Sequence, residues 1–290
     1  MDREIWRLLG AAVRSADRRV LRFVRRPRYT DQRIVKMYFW SVWHDRPLCW
    51  ACDRRHYNTM FRPSQLPSVS QFCRRMKTQR IQAMLAATHE YLTRRDTPVP
   101  LSFLDGMPLP IRYWSRDRDA RVGYASKGFA RGYKLHAWAA SDGRMLAFSV
   151  RPMNEGEAKI ARDFAEHPDM GGLVLADANY DSQRLYQTLG MEGAQLLTPL
   201  KRIAVNSGPL RRMGPNRRFA ICMNERLGRG YRALLDRRSG IERFFSALCC
   251  FGGGLTTLPA WVRRLDRVTR WVGAKIAIYH ARLRVREAAA

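Results

Sequence analysis

The sequence changes period at two prolines, Pro98 and Pro100. Before them apolar residues recur at helical spacing; after them come short apolar runs bounded by turn residues, the pattern of strands. Residues 101–104 form one such run, 111–114 can pair with it, and 133–140 form a longer strand with its own alternation. Ser141-Asp142-Gly143-Arg144 predicts a hairpin, because Asp-Gly readily takes the backbone angles of a two-residue turn, and 145–150 is the returning strand. Helical spacing over 155–164, a run at 173–176, a helix capped by Asp181 or Ser182 and a last run at 194–198 complete the series. Four strands, helix, strand, helix, strand is the order of a mixed α/β fold with helices on the faces of one sheet. The prolines therefore divide the chain into a helical domain, 1–97, and a sheet-bearing domain, 98–290.

The first domain is basic as well as helical. Residues 1–29 read as an amphipathic helix broken near Pro27, with Arg3, Arg7, Arg14, Arg18, Arg19, Arg22, Arg25, Arg26 and Arg28 among apolar residues. This stretch could lie against phosphates or be a solvated face of a packed helix. Thr30 is a good N-cap for the helix that follows, and Ser68 caps a short basic segment carrying Arg74, Arg75 and Lys77. Together with the helix over 78–92, these could form a helix-turn-helix that reads a major groove, or a plain bundle.

The whole chain has a formal charge of +28, far beyond what solubility needs, so a polyanion, and nucleic acid first, is the expected partner. No run of about 18 apolar residues suggests a membrane span. Arg3, Glu4, Arg7 and Arg14 also interrupt any secretory pattern, so a cytoplasmic protein is expected. The six cysteines are irregularly spaced, which suits a reducing compartment. Cys49-x-x-Cys52 with His56 and Cys73 is a candidate zinc site, but Trp50 and the helical context favour ordinary thiols.

Within this basic chain three acids stand out. Asp105 and Asp177 each follow an apolar run, and Glu242 opens the helical pattern Ile241, Phe244, Phe245, Leu248. A buried carboxylate needs a cation beside it, and hard divalent ions prefer carboxylate oxygens, so the three could converge on two metal ions that perform phosphoryl transfer. Each acid also has a plainer reading: Asp105 as the start of an Asp-Gly turn, Asp177 as a cap, and Glu242 as the partner of Arg238 in a helical ion pair.

The segment resembles the DDE transposases of bacterial insertion sequences, whose catalytic domain has a ribonuclease H-like fold. The matching pieces are Asp105-Gly-Met-Pro-Leu-Pro, Gly132-Tyr-Lys-Leu-His, Asp142-Gly143, Leu175-Ala-Asp-Ala-Asn-Tyr-Asp-Ser and Arg238-Ser-Gly-Ile-Glu-Arg-Phe-Phe-Ser-Ala-Leu, covering about residues 100–280. The resemblance implies that Asp105, Asp177 and Glu242 are catalytic and bind two Mg2+ ions, with Mn2+ as a substitute. It implies that Arg238 binds the DNA, with Lys134 and His136 near the acidic edge and Lys127 as a further DNA contact. Arg74, Arg75 and Lys77 join them as expected DNA contacts. Two positions depart from the family pattern: Cys249 stands where relatives carry a lysine and Leu235 where some carry a tyrosine. The interval from Asp177 to Glu242 is also too short for the large β-domain inserted in some relatives.

The expected activity is cleavage of double-stranded DNA at element ends and joining of the 3′ ends to target DNA, by a homodimer or larger assembly. Rival readings are a metal-dependent nuclease without strand transfer and a non-catalytic DNA-binding remnant. Residues 201–236, rich in Arg, Gly, Pro and Asn, read as a long basic loop with 219–223 available as an extra strand. The C-terminal helix with Leu265, Val268, Trp271, Val272, Ile276 and Tyr279 is expected on the sheet.

Overall fold

A computed structural model describes residues 1–21, 28–95, 97, 99–125, 128–167, 171–200 and 213–289. Lys127, Pro98, the stretch from Arg22 to Pro27 and residues 201–212 of the expected loop lie outside the described residues. The helices are α1 (Asp2–Arg19), α2 (Asp31–Trp43), α3 (Val69–Arg75), α4 (Gln79–Thr93), α5 (Glu157–Asp163), α6 (Gln183–Met191), α7 (Pro215–Leu227), α8 (Arg229–Asp236), α9 (Ser239–Cys249) and α10 (Leu265–Glu287). The strands are β1 (Leu101–Pro110), β2 (Arg121–Ala125), β3 (Gly128–Ala140), β4 (Met145–Pro152), β5 (Gly172–Leu175) and β6 (Ala194–Leu197). These elements divide into two compact units: Met1–Arg94 with Leu248–Ala290, and Arg95–Ala247.

In the helical unit the caps act where the sequence puts them. The Thr30 side chain accepts from the Arg33 N–H, and Ser68 forms a reciprocal capping box with Gln71. The inner face of α1 (Ile5, Leu9, Ala12, Val13, Ala16) is buried, and α1 packs on α2, α4 and α10. Helix α10 thus packs among helices, where a place on the sheet was expected. Its residues Ala274 to Ala281 are all buried, so it has no single apolar stripe to lay on one sheet face and needs neighbours on several sides. Arg75, Arg80, Asp17 and Asp31 form an ion-pair cluster between the ends of these helices, with Arg80 Nε donating to Asp31 Oδ2 at 2.7 Å. All six cysteines are free. Of the candidate zinc ligands, His56 stacks on Trp50 at 4.4 Å. No helix among the described residues is long and apolar enough to cross a membrane.

In the second unit β1, β3 and β4 form an antiparallel meander, and β5 and β6 run parallel to β1 in the order β3-β1-β5-β6. Gly132 pairs with Pro110 on one side and Arg121 on the other, so β2 and β4 follow one another along the same edge of β3. This is the mixed α/β, ribonuclease H-like arrangement that the sequence predicts. Two details differ: residues 111–114 are no strand, because β1 itself continues through Asp105 and Gly106 to Pro110 and pairs with β3, and β2 was not expected from the sequence. Pro108 and Pro110 are tolerated because β5 pairs with β1 only over Leu101–Phe103, leaving the rest of that edge open.

The basic stretch before Glu242 also differs. Where described it is helical, α7 and α8, and residues 219–223 lie inside α7. Pro215 opens α7 and Gly228, at φ 44°, closes it. Arg217 pairs with Asp181 at 2.9 Å and the Tyr231 hydroxyl donates to the Thr198 carbonyl at 3.0 Å. Only Ala220, Ile221 and Tyr231 of the two helices are buried, which is too little for an apolar stripe to show in the sequence.

Candidate active site

The sheet register sets the first two acids. Phe103 of β1 is level with Leu175 of β5, and Asp105, still within β1, and Asp177, just past the end of β5, each lie two residues beyond that last paired position. Asp105 is held in the middle of a paired strand, opposite Ala137, and its Oδ1 accepts the Gly106 N–H at 2.7 Å. Asp177 follows the end of β5, where its carboxylate accepts the Asn179 N–H at 2.7 Å.

Glu242 comes from the first turn of α9. A Cβ on Gly240 would lie 2.8 Å from the Phe103 ring, so the absence of a side chain at 240 lets this turn approach β1 closely. Arg238, just before the helix, reaches both sides: it donates to Asp105 Oδ2 at 3.0 Å and to Glu242 Oε1 at 3.3 Å. The Glu242 side chain is 64 % exposed and touches the cluster through this arginine.

Burial drives the Asp105 carboxyl up to about 6; Asp177 and Glu157 push the same way, and the Gly106 N–H and Arg238 offset only part of it. Burial, then Glu157, Asp105 and Asp177, likewise drive the buried Tyr180 phenol well above its ordinary range. The cluster is therefore short of positive charge even with Arg238 in it. One guanidinium is shared between two of these carboxylates, and hard carboxylate oxygens with too little positive charge beside them are the donor set a divalent ion takes, so these residues fit one. Among the described residues, however, no group of three or more His, Cys, Asp or Glu side chains is assembled to hold a metal ion. A ready-made cage of three carboxylates was expected; like charges repel, and the arrangement here places the Arg238 guanidinium between Asp105 and Glu242.

The remaining expected site residues separate into two groups. Arg74 and Lys77 are exposed, whereas Arg75 is engaged by Asp31 and by the Tyr29 carbonyl and is not free for DNA. The Lys134 ammonium is bound to Glu157 at 2.7 Å, with both side chains largely buried. A Cβ on Gly106 would lie 2.8 Å from Lys134 Cδ and 3.1 Å from Glu157 Oε1, so that glycine makes room for the pair. Glu157 and Tyr180 were given no role from the sequence. An acid in the first turn of a helix is commonplace, and only the packing of α5 on β1 and β3 brings Glu157 to the site.

His136, expected to touch DNA, is instead buried with neither ring nitrogen hydrogen-bonded, because its strand position faces the interior. Burial, Lys134 and Arg151 lower its pKa from 6.5 to about 4. The folded chain therefore resists protonating a group that the unfolded chain protonates below pH 6.5, and this component of stability falls as pH drops from 6.5 toward 4. Urea unfolding should show His136→Leu losing less stability than wild type between pH 7 and pH 5, by about 2 kcal/mol. Equal losses would rule out His136 as their source.

The model of the family described as "Transposase DDE domain" matches residues 97–279. No curated protein and no solved structure matches the chain.

Proposed function

The chain belongs to the family of DDE transposases, and on that premise we propose that it cuts DNA at the ends of a bacterial insertion sequence and joins the freed 3′ ends to target DNA. The observation that carries this reading is that Asp105 in β1 and Asp177 just past β5 each follow the last paired position of neighbouring strands by two residues, with Arg238 linking Asp105 to Glu242. DNA is the family's partner, and a net charge of +28 suits it.

The family generally uses divalent metal. Here Asp105, Asp177 and Glu242 would hold two Mg2+ ions, with Mn2+ as a substitute. When bound, such ions supply an activated water, then an activated 3′ hydroxyl, and absorb charge on the phosphate. The chain's own part is placement. Strand β1 fixes Asp105, and the Glu157–Lys134 pair walls the cluster on one side. Once its carboxylates are otherwise neutralised, Arg238 is free to hold a phosphate through two parallel N–H donors.

Residues 98–290 would carry the chemistry. Residues 1–97 would contribute end recognition through α3, the turn after it and α4, with Arg74 and Lys77 exposed there. Two ends must be held at once for joining, so the working form would be a homodimer, acting in the cytoplasm at the nucleoid.

The test is cleavage and joining of a labelled duplex carrying the flanking element's end, with Mg2+ or Mn2+, comparing wild type with Asp105→Asn, Asp177→Asn and Glu242→Gln. Wild type should cut and join, and each variant should bind the duplex but do neither. Cutting without joining would make the protein a nuclease. Binding without cutting under either metal would leave a DNA-binding remnant.

A further inference from the structure

Four exposed aromatic rings form two edge-to-face pairs within residues 113–129, beyond the acid cluster along β3. Trp114 is 87 % and Phe129 82 % exposed; Tyr113 packs against Trp114 at 5.7 Å and Tyr124 against Phe129 at 6.1 Å, both edge to face. A soluble surface rarely presents so many large apolar rings together without something to cover them.

The rings are held out by a built scaffold. The Arg131 guanidinium donates to the carbonyl of Asp117 at 2.6 Å and to that of Tyr113 at 3.4 Å, and the buried Tyr133 hydroxyl donates to the Asp117 carboxylate at 2.7 Å. The loop bearing Tyr113 and Trp114 is thereby tied to β3. Tyr124 and Phe129 are register partners and so share one face of the β2–β3 ribbon, with Val122 beside them. The other face carries Gly123, Ala125, Gly128 and Ala130. A Cβ on Gly123 would lie 2.3 Å from the Met153 carbonyl oxygen, so this small-residue face is pressed against the chain after β4 while the aromatic face stays open.

The charge around the rings selects the occupant. Arg112, Arg116 and Arg118 are all exposed in the segment that carries Tyr113 and Trp114, and Arg121 is exposed on the opposite face of the ribbon from Tyr124. A second copy of the chain is disfavoured, because a two-fold interface would set these arginines against themselves. A polyanion with flat apolar faces is favoured, and among nucleic acids that means unstacked bases. Intact duplex buries its base faces and needs only the arginines; exposed rings gain from bases that are out of the stack. We propose that Tyr113, Trp114, Tyr124 and Phe129, with the flanking arginines, form a platform for unpaired DNA bases several nucleotides away from the site of cutting. From Ala137, opposite Asp105, β3 runs to Phe129 over about 26 Å at roughly 3.3 Å per residue, a reach of about eight nucleotide steps.

This platform rests on the transposase reading, and the test separates the two. Binding is measured by fluorescence anisotropy for a labelled duplex and for the same duplex with a short single-stranded flap, using wild type, Trp114→Ala, Phe129→Ala and Trp114→Tyr. Wild type should prefer the flap, each alanine variant should weaken flap binding roughly tenfold with duplex binding unchanged, and Trp114→Tyr should keep most of the preference. The platform is overturned if wild type shows no preference, or if the alanine variants weaken both substrates equally or neither. Cleavage assays on the same proteins locate the failure. Wild type that cuts without a flap preference removes the platform alone, whereas wild type that neither binds nor cuts DNA removes both.

Discussion

Asp105→Asn is expected to unfold at a higher temperature than wild type at pH 8 without metal, and to cut DNA at least about a thousandfold more slowly when Mg2+ is supplied. The two effects share one cause. Burial and the neighbouring acids raise the Asp105 carboxyl from 3.8 to about 6, so folding opposes its ionisation. A raised carboxyl favours the folded chain at low pH, and that advantage is lost as pH rises from 3.8 through about 6. Asparagine can keep the Gly106 N–H bond without the charge, which should stabilise the variant by about 1–3 kcal/mol at pH 8. The gap should close toward pH 4, where both forms are neutral when folded. Added Mg2+ should raise the wild-type melting temperature by mass action and the variant's much less. A variant that melts no higher than wild type at pH 8 without metal would mean that Arg238 already compensates Asp105 fully. The window overlaps that of His136 with the opposite sign, so the effects are separated only by comparing each variant with wild type.

Asp45→Asn should be the most destabilising conservative change in the helical unit. Lys275 is fully buried in α10, and its ammonium lies 2.7 Å from Asp45 Oδ1 and 5.4 Å from the Trp271 ring centroid. Removing one partner of a buried pair leaves a charge without compensation. Asp45 is 41 % exposed, so water shares the load and the expected cost is about 2–4 kcal/mol. Asparagine tolerates the left-handed backbone at this position, φ 51°, which alanine would strain. The double variant Asp45→Asn with Lys275→Met should recover most of the loss in equilibrium unfolding, because no buried charge remains. If the double variant is no more stable than Asp45→Asn, packing at α10 rather than charge is what the pair protects.

Much of the fold was legible because its signals are local. Ser68 and Gln71 cap α3 through atoms three residues apart, and the turn before β4 needs only Asp142 and Gly143 at adjacent positions. The misread segments lacked such signals. Helices α7 and α8 bury three residues between them and are otherwise arginine-rich, so charge hid the period. Strand β1 was cut short at Asp105-Gly106 because a turn is that dipeptide's usual use, and only pairing with β3 overrides it. The candidate site was partly legible for the same reason: Asp105 and Asp177 follow apolar runs that end at one level, which the sequence shows as pattern.

By itself, then, the sequence determined which residues are helical or extended over most of the chain, that the partner is a polyanion, and which three acids stand where chemistry is expected. Tertiary structure decided which charges are available. Arg75 is spent on Asp31, Lys134 on Glu157, and Arg238 on Asp105 and Glu242, while His136 is enclosed. It also placed Trp114 and Phe129 outward and Lys275 inward. Secondary structure follows from neighbours a few residues apart, but a side chain's partner, burial and ionisation depend on groups that arrive from distant parts of the chain, and no local pattern records them.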